Sequence, residues 1–254
     1  MFAISTTIFE VLWDELRLPP MPARITIAQH GATLTDRVRI RDAALAEAQR
    51  LGLGRPPHLD RRLTDLLGVL ARHERAVSLR ELAGHRRRAY AAAGGRHGAM
   101  GVIHRERVSV HAIPGDHLAR ELLAMLPDLP AGPGSAVSVP STAFDAAMPA
   151  YTDARDSAEA RRILHDAGVG GRDLERLLTI ARDTVNCGSI GVHKREHNNA
   201  KFVGSLGYAD TSRGRYAIVR RDDRAGRSYT TVIPTDIDGL HKRLQRLLGV
   251  DAGW

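Results

Sequence analysis

The sequence of 254 residues has one cysteine, few aromatic residues and no long apolar run. Because Cys187 is the single thiol, no disulfide can form within the chain, which is typical of proteins in a reducing cytoplasm. No stretch reaches the roughly 20 apolar residues that a transmembrane helix requires. The opening residues lack the basic and apolar regions of a signal peptide. These absences predict a cytoplasmic protein that does not span a membrane.

Linear motifs for catalysis, cofactors and metals are also missing. No Gly-rich loop ends in Lys-Ser or Lys-Thr, the order that phosphate-binding loops require. Ser189 and Cys187 lie in no nucleophile motif, and we interpret Cys187 as a small buried hydrophobic residue. His193 and His197 have the spacing of a zinc helix, but their surroundings favour a strand and a turn. We expect no catalytic residue, cofactor or metal, and we favour a binding protein over an enzyme whose site has no linear motif.

The charge of the chain is unbalanced. The sequence has 37 Lys and Arg residues against 29 Asp and Glu residues, a formal net charge of +8. This surplus favours acidic partners, nucleic acids among them. Acidic residues are interspersed, however, and only 4% of the residues are aromatic, which leaves few platforms for stacking bases. These observations argue against nucleic-acid binding as the main function, and a basic nucleic-acid-binding module stays the alternative hypothesis.

The densest cationic run consists of Arg86, Arg87 and Arg88. It falls in a predicted hairpin, where charges most often protect a sheet edge from aggregation. The other interpretation is that the run binds an acidic partner.

The stretch from Gly204 to Pro234 has the pattern of an antiparallel meander. Three runs rich in aromatic and β-branched residues are separated by turn-forming residues at 210–214 and 222–226. A second meander is predicted between 76 and 113. Helices with leucine stripes precede and follow both meanders. The order of helices, antiparallel strands, strand-ending proline and helix therefore occurs twice.

The repeat predicts an α+β fold in a single domain over 1–254. It consists of two quasi-twofold halves, about 1–130 and about 137–254, each a helix/antiparallel-meander/helix unit. A connector dense in Pro and Gly joins them at about 127–136. The halves share a central antiparallel sheet flanked by helices. We expect the helices on one face, so that the other face or an edge is free for a partner.

The second meander carries a pattern that resembles the C-terminal signature of the EspG family. It reads Tyr208-x-Asp210-Thr211-x-x-Gly214-Arg215-Tyr216, followed by Thr231-Val232-x-Pro234 and a Leu-rich helix. The resemblance extends to Leu12-Trp13 in the opening helix and covers nearly the whole chain. We interpret the signature residues as structural: Gly214 permits the turn, Asp210 caps it, and Tyr208 and Tyr216 pack on the sheet.

The resemblance implies a cytosolic chaperone of ESX (type VII) secretion systems in actinobacteria, without catalysis. Members of the family bind the tip of the PPE subunit in a PE–PPE heterodimer and cover its aggregation-prone segment until delivery. Their binding surface involves the central sheet, a loop between strands of the N-terminal half and the C-terminal helices. The connection at 83–85 is short here, where mycobacterial members carry a long loop, which bears on the choice of client. We expect the client to contact Arg86, Arg87, Arg88, His193 and Lys201.

Overall fold

The computed structural model describes residues 1–153, 157–196 and 199–249. The N-terminal elements are β1 (Phe2–Ser5), α1 (Thr6–Glu15), α2 (Leu34–Arg50), β2 (Gly54–Arg55), β3 (His58–Leu59), α3 (Arg61–Arg72), β4 (Arg75–Glu81), β5 (Arg88–Gly94), β6 (His97–His104), β7 (Arg107–Pro114) and α4 (Leu118–Leu123). The C-terminal elements are β8 (Val137–Pro140), α5 (Ser141–Asp153), α6 (Ser157–Asp166), α7 (Gly171–Asp183), β9 (Thr184–Glu196), β10 (Asn199–Thr211), β11 (Gly214–Asp222), β12 (Ser228–Pro234) and α8 (Ile237–Leu248).

Ten strands form one antiparallel sheet in the order β1-β7-β6-β5-β4-β9-β10-β11-β12-β8. The pairing of β4 with β9 in the middle joins the two predicted meanders into one sheet. This architecture confirms the predicted α+β class with a large antiparallel sheet and flanking helices. The quasi-twofold relation of the halves and the division of the chain at the connector stay predictions.

Helices cover both faces of the sheet, so the expectation that they lie on one face is wrong. Successive side chains of a strand point to opposite faces. In β5, Tyr90 belongs to the core that α1, α2 and α3 bury, whereas the neighbouring Ala89 and Ala91 belong to the core that α4 and α8 bury. We call these faces A and B. Helices α5, α6 and α7 also lie on face A. They bury strand residues such as Val232, and the strand pairing places Val232 on the same face of the sheet as Tyr90.

The two faces bury separate cores. On face B, leucines of α4 and α8 pack on the middle of the sheet, against Val77, Leu79, Ile190, Val192, Leu206 and Tyr208. On face A, α1–α3 bury one end of the sheet and α5–α7 bury the other. The middle of face A lies between these two helical layers.

Several local expectations differ from the structure. The alternation at 24–27 predicts an edge or entry strand, but this segment is not a strand, because the N–H of Ile25 bonds to the Pro22 carbonyl at 2.9 Å and closes a turn. Helix α5 was not expected, because Pro149 falls within its span and proline usually breaks helices. The helical spacing of Val38 with Ala44, Leu45 and Ala48 predicts that it lies on the apolar face of α2, yet Val38 is 57% exposed. Within the described residues, no helix is long and apolar enough to cross a bilayer.

Candidate functional site

The signature residues build the tight turn between β10 and β11. Gly214 has a φ of +131°, and a Cβ added there would lie 2.7 Å from the carbonyl oxygen of Pro130. The Oγ1 of Thr211 donates to the Gly214 carbonyl at 2.8 Å and accepts from the N–H of Arg213 at 3.2 Å. The turn therefore needs glycine at 214, and Thr211 caps it.

Asp210, expected to cap this turn, forms a buried ion pair instead. Arg215 Nε lies 2.5 Å from Asp210 Oδ1, and Nη2 lies 3.1 Å from Oδ2. The two side chains are 0% and 1% exposed. The same Nη2 donates to the carbonyl of Pro127 at 2.8 Å. The pair thus ties the hairpin to the start of the connector.

The backbone next to this pair also binds the connector. The N–H of Arg215 donates to the Pro130 carbonyl, and the N–H of Gly132 donates to the Arg215 carbonyl, both at 2.9 Å. Tyr216 Oη donates to the Pro133 carbonyl at 3.0 Å. The signature residues therefore hold the connector against the sheet. Their contacts are structural and provide no site for chemistry.

An uncovered region of face A lies where β4, β9 and β10 run side by side. No described helix packs on its middle. We call it the central trough and define it by Arg80, Ser189, His193, Phe202 and Ser205. In register, Ser205 pairs with Gly191 and Ser189 pairs with Gly207. Gly191 is buried beneath the rings of His193 and Phe202, so the accessible floor consists of the small residues Ser189, Ser205 and Gly207. A partner can therefore approach the sheet at these residues.

A row of rings crosses one end of the central trough. The ring centroids of His73 and Tyr90 are 5.2 Å apart, those of Tyr90 and His193 are 5.6 Å apart, and those of His193 and Phe202 are 5.7 Å apart. His73 and Tyr90 are buried, whereas Phe202 is 54% exposed. Burial lowers the pKa of His193 to about 4, and the charges of His73 and Arg24 add to this effect. His193 is therefore neutral in the free protein near neutral pH.

The other end of the trough is cationic. Burial, and then the neighbouring charge of Arg80, lower the pKa of Arg24. Arg88 of β5 pairs in register with Arg80 of β4, and its Nη1 donates to the carbonyl of Thr26 at 2.8 Å. These guanidinium groups give this part of face A a positive potential.

The strands of the trough also expose apolar side chains. Phe202 and Val203 are 54% and 41% exposed, and Leu82 and Val185 are 54% and 64% exposed. Leu82 follows β4, and its N–H bonds to the Cys187 carbonyl of β9 at 2.8 Å. Exposed apolar residues on adjacent strands, with cations around them, are typical of a protein-binding surface.

The residues expected to contact a client are spread over both faces. Arg88 and His193 lie on face A, four residues apart along the strands, or about 13 Å, and two strands apart across the sheet. Arg86 lies in the connection between β4 and β5. Arg87 binds Glu81 at 2.6 Å and the Met125 carbonyl at 2.9 Å on face B. Their roles in binding stay predictions.

Lys201 lies near the tip of the β9–β10 hairpin and forms an exposed ion pair with Glu196 at 3.0 Å. His197, the second histidine of the sequence pair, lies outside the described residues. Within the described residues, no group of three His, Cys, Asp or Glu side chains is arranged to hold a metal ion. Cys187, expected to be buried, is only half-buried, and burial raises the pKa of its thiol.

Sequence reasoning missed the exposed apolar residues of the trough. The signal was present in Phe202 and Val203, two apolar residues directly after the charged hairpin tip. The period-two pattern does not tell a face covered by a helix from a bare face, so their exposure could not be predicted.

The sequence profile that defines the EspG family matches residues 5–246. The chain belongs to the EspG family. A similar solved structure is that of the Mycobacterium tuberculosis type VII secretion system chaperone EspG5 in complex with the PE25-PPE41 dimer. The TM-score is 0.70 at 14% sequence identity, and the match covers 100% of this chain and 98% of that chain. At this identity the match shows the EspG fold. No curated protein is significantly similar in sequence.

Proposed function

We propose that this EspG protein is a cytosolic chaperone of an ESX (type VII) secretion system. It binds a PE–PPE-type heterodimer through the PPE subunit, keeps the substrate soluble and delivers it to the secretion machinery. The observation that carries the proposal is the family match over residues 5–246. The EspG5 structure supports it, because that chaperone has the same fold and is in complex with a PE25-PPE41 dimer. The proposed activity is binding, without catalysis.

The central trough is the surface that we assign to the client. Its bare small-residue floor admits a protruding tip, and exposed Phe202 gives it an apolar contact. Arg86, Arg88, His193 and Lys201 are proposed to contribute polar contacts around this apolar centre. In protein interfaces a few apolar residues at the centre usually carry most of the affinity, and polar groups at the rim add specificity.

Co-expression with the PE–PPE pairs encoded beside this protein tests the proposal. The expected result is a soluble ternary complex that survives affinity and size-exclusion chromatography. Replacing Phe202 by Asp should weaken the complex at least about tenfold, because it puts a charge at the centre of the interface. The matched control is Val38→Asp on α2, since Val38 is 57% exposed and Phe202 is 54% exposed.

Two results would count against this proposal, the first against the chaperone function and the second against the assignment of the client to the central trough. One is that no neighbouring PE–PPE pair co-purifies at low salt. The other is that Phe202→Asp and Val38→Asp weaken the complex equally, which would move the client away from the central trough. Circular dichroism of both variants shows whether each keeps the native fold.

Nucleic-acid binding is the second candidate function, favoured by the position of the charge. Residues 192–249 contain twelve Lys and Arg residues against six Asp and Glu residues, so this segment carries most of the net charge of +8. Binding to phosphates would weaken steeply as salt rises. A mobility-shift titration without any complex at roughly 50 mM salt would remove this hypothesis.

A further inference from the structure

A cavity of about 690 Å³ opens beside the central trough, between segment 19–23 and the C-terminal end of α3. Its apolar wall consists of that proline-rich segment and Phe202. Its basic wall consists of Arg72, His73, His193 and Arg195, and none of the described residues that line it is acidic. An apolar wall that faces a basic wall suits a ligand with an apolar stem and an anionic end.

Hydrogen bonds leave one nitrogen of the basic wall open to the cavity. Ser78 Oγ donates to the Gly191 carbonyl at 3.4 Å, so it accepts from His193 Nε2 at 3.0 Å. In this tautomer His193 Nδ1 carries a lone pair, and no described residue bonds to it. His73 differs, because Nδ1 donates to the Leu70 carbonyl at 3.0 Å and Nε2 accepts from Tyr90 Oη at 2.9 Å.

Among the described residues, the charged groups around His193 are of one sign. The groups that face it are His73 directly after α3, Tyr90 from β5, Ser78 from β4, Phe202 from β10 and Arg24 from the segment before α2. Arg195 also lines the cavity, and it donates to the carbonyls of His73 and Ala71 at 2.7 and 3.0 Å. A carboxylate in this cavity would supply the missing negative charge and favour protonation of Nδ1.

We propose that this cavity binds a carboxylate on a short apolar stem, presented by an acidic side chain of the protein that occupies the central trough. That this protein is a PE–PPE client rests on the proposed function. The stem packs between the proline-rich segment and Phe202, and the carboxylate accepts a hydrogen bond from Nδ1–H of a protonated His193 near Arg72. His193 takes this proton from solvent, so binding of the carboxylate is coupled to the uptake of one proton.

The site is tested on the free protein with 3-phenylpropionate, and with 3-phenylpropionamide as the uncharged control. Nuclear magnetic resonance of the histidine rings follows the titration of His193. The acid should raise the pKa of His193 above about 4. Its affinity should rise about tenfold for each unit by which the pH is lowered from the bound pKa of His193 to about pH 5, below which the probe's own carboxylate is protonated. The amide should bind at least about tenfold more weakly than the acid.

Two variants locate the site. His193→Gln should abolish the pH dependence of binding. Arg72 is exposed, so Arg72→Gln should weaken the binding of 3-phenylpropionate without a change in fold. Equal binding of acid and amide, or a His193 titration that the acid does not change, would overturn the proposal.

A competition experiment tests whether the PE–PPE client is the protein that presents the carboxylate. Saturation with the PE–PPE heterodimer should displace the acid. Simultaneous binding of both would overturn the assignment of the cavity to the client. If no PE–PPE pair binds at all while 3-phenylpropionate still raises the pKa of His193, the proposed chaperone function fails and the carboxylate site remains.

Discussion

Replacement of Arg215 by Met removes the cation of the buried pair with Asp210 and keeps an apolar side chain of similar length. The carboxylate of Asp210, 1% exposed, is then left without its cation, and the Pro127 carbonyl loses a donor. Loss of one partner of a buried pair typically costs about 3–5 kcal/mol. For a chain of this size about 1 kcal/mol corresponds to about 2–4 °C, so the melting temperature should fall by roughly 6–20 °C.

The assay is urea denaturation followed by circular dichroism, on four proteins that form a double-mutant cycle. Asp210→Leu alone leaves the Arg215 guanidinium buried and should also destabilise the fold. The double variant removes both charges, and it should recover most of the loss, because apolar residues often replace a buried ion pair at little cost. The reasoning is refuted if Arg215→Met costs less than about 1 kcal/mol. It is also refuted if the double variant loses as much free energy of unfolding as the two single variants lose together.

Two further predictions concern the turn and the buried histidines. Gly214→Ala should destabilise the protein by at least about 2 kcal/mol, because the new Cβ meets Pro130 and the φ of +131° strains any side chain. Thermal unfolding measures this loss, and Gly226→Ala, with φ +75° and nothing within 4 Å, should lose less. Burial lowers the pKa of both His73 and His193, so the folded state favours neutral rings. The contribution of the neutral rings to the free energy of unfolding is complete above pH 6.5, so the melting temperature should fall as the pH decreases from there toward 4. The fall should be smaller in the variant His193→Gln.

Opposite outcomes of these measurements are informative. Equal losses for Gly214→Ala and Gly226→Ala would mean that contact with the connector adds nothing to backbone strain. A melting temperature that does not change between pH 6.5 and pH 4 would show that protonation of the buried imidazoles has no cost. If His193→Gln lowers stability with the same pH slope as the unchanged protein, another group is responsible for the slope.

Strand pairing was predictable from the sequence because of its regular pattern. The runs around Tyr216 and Tyr229 alternate, turn residues separate them, and the structure places β11 and β12 there. Strand β1 was missed, since four residues at the chain start are too few to show a period. The helical spacing of apolar residues predicts a helix over 6–18 with Thr6 or Thr7 as its cap, whereas α1 runs over Thr6–Glu15 and its cap is Ser5.

The site was less predictable than the fold, for a physical reason. Binding surfaces depend on which strand face stays bare, and that is decided by helices distant in sequence. The charge of Arg87 looked available in sequence, yet Glu81 and the Met125 carbonyl bind it. Phe202 looked like a core residue of a strand, yet no described helix covers it and it is 54% exposed. The signature could be placed on a turn, but its ties to the connector depend on distant backbone carbonyls.

The central claim is that the central trough on face A binds the PE–PPE client. Amide hydrogen–deuterium exchange, measured on this protein alone and in complex with its PE–PPE partner, tests it most directly. The account predicts slower exchange on binding in β4, β9 and β10, and no change in α2, which lies away from the trough. Protection confined to α2 or to the edge strands β1 and β8, with β4, β9 and β10 unchanged, would contradict it.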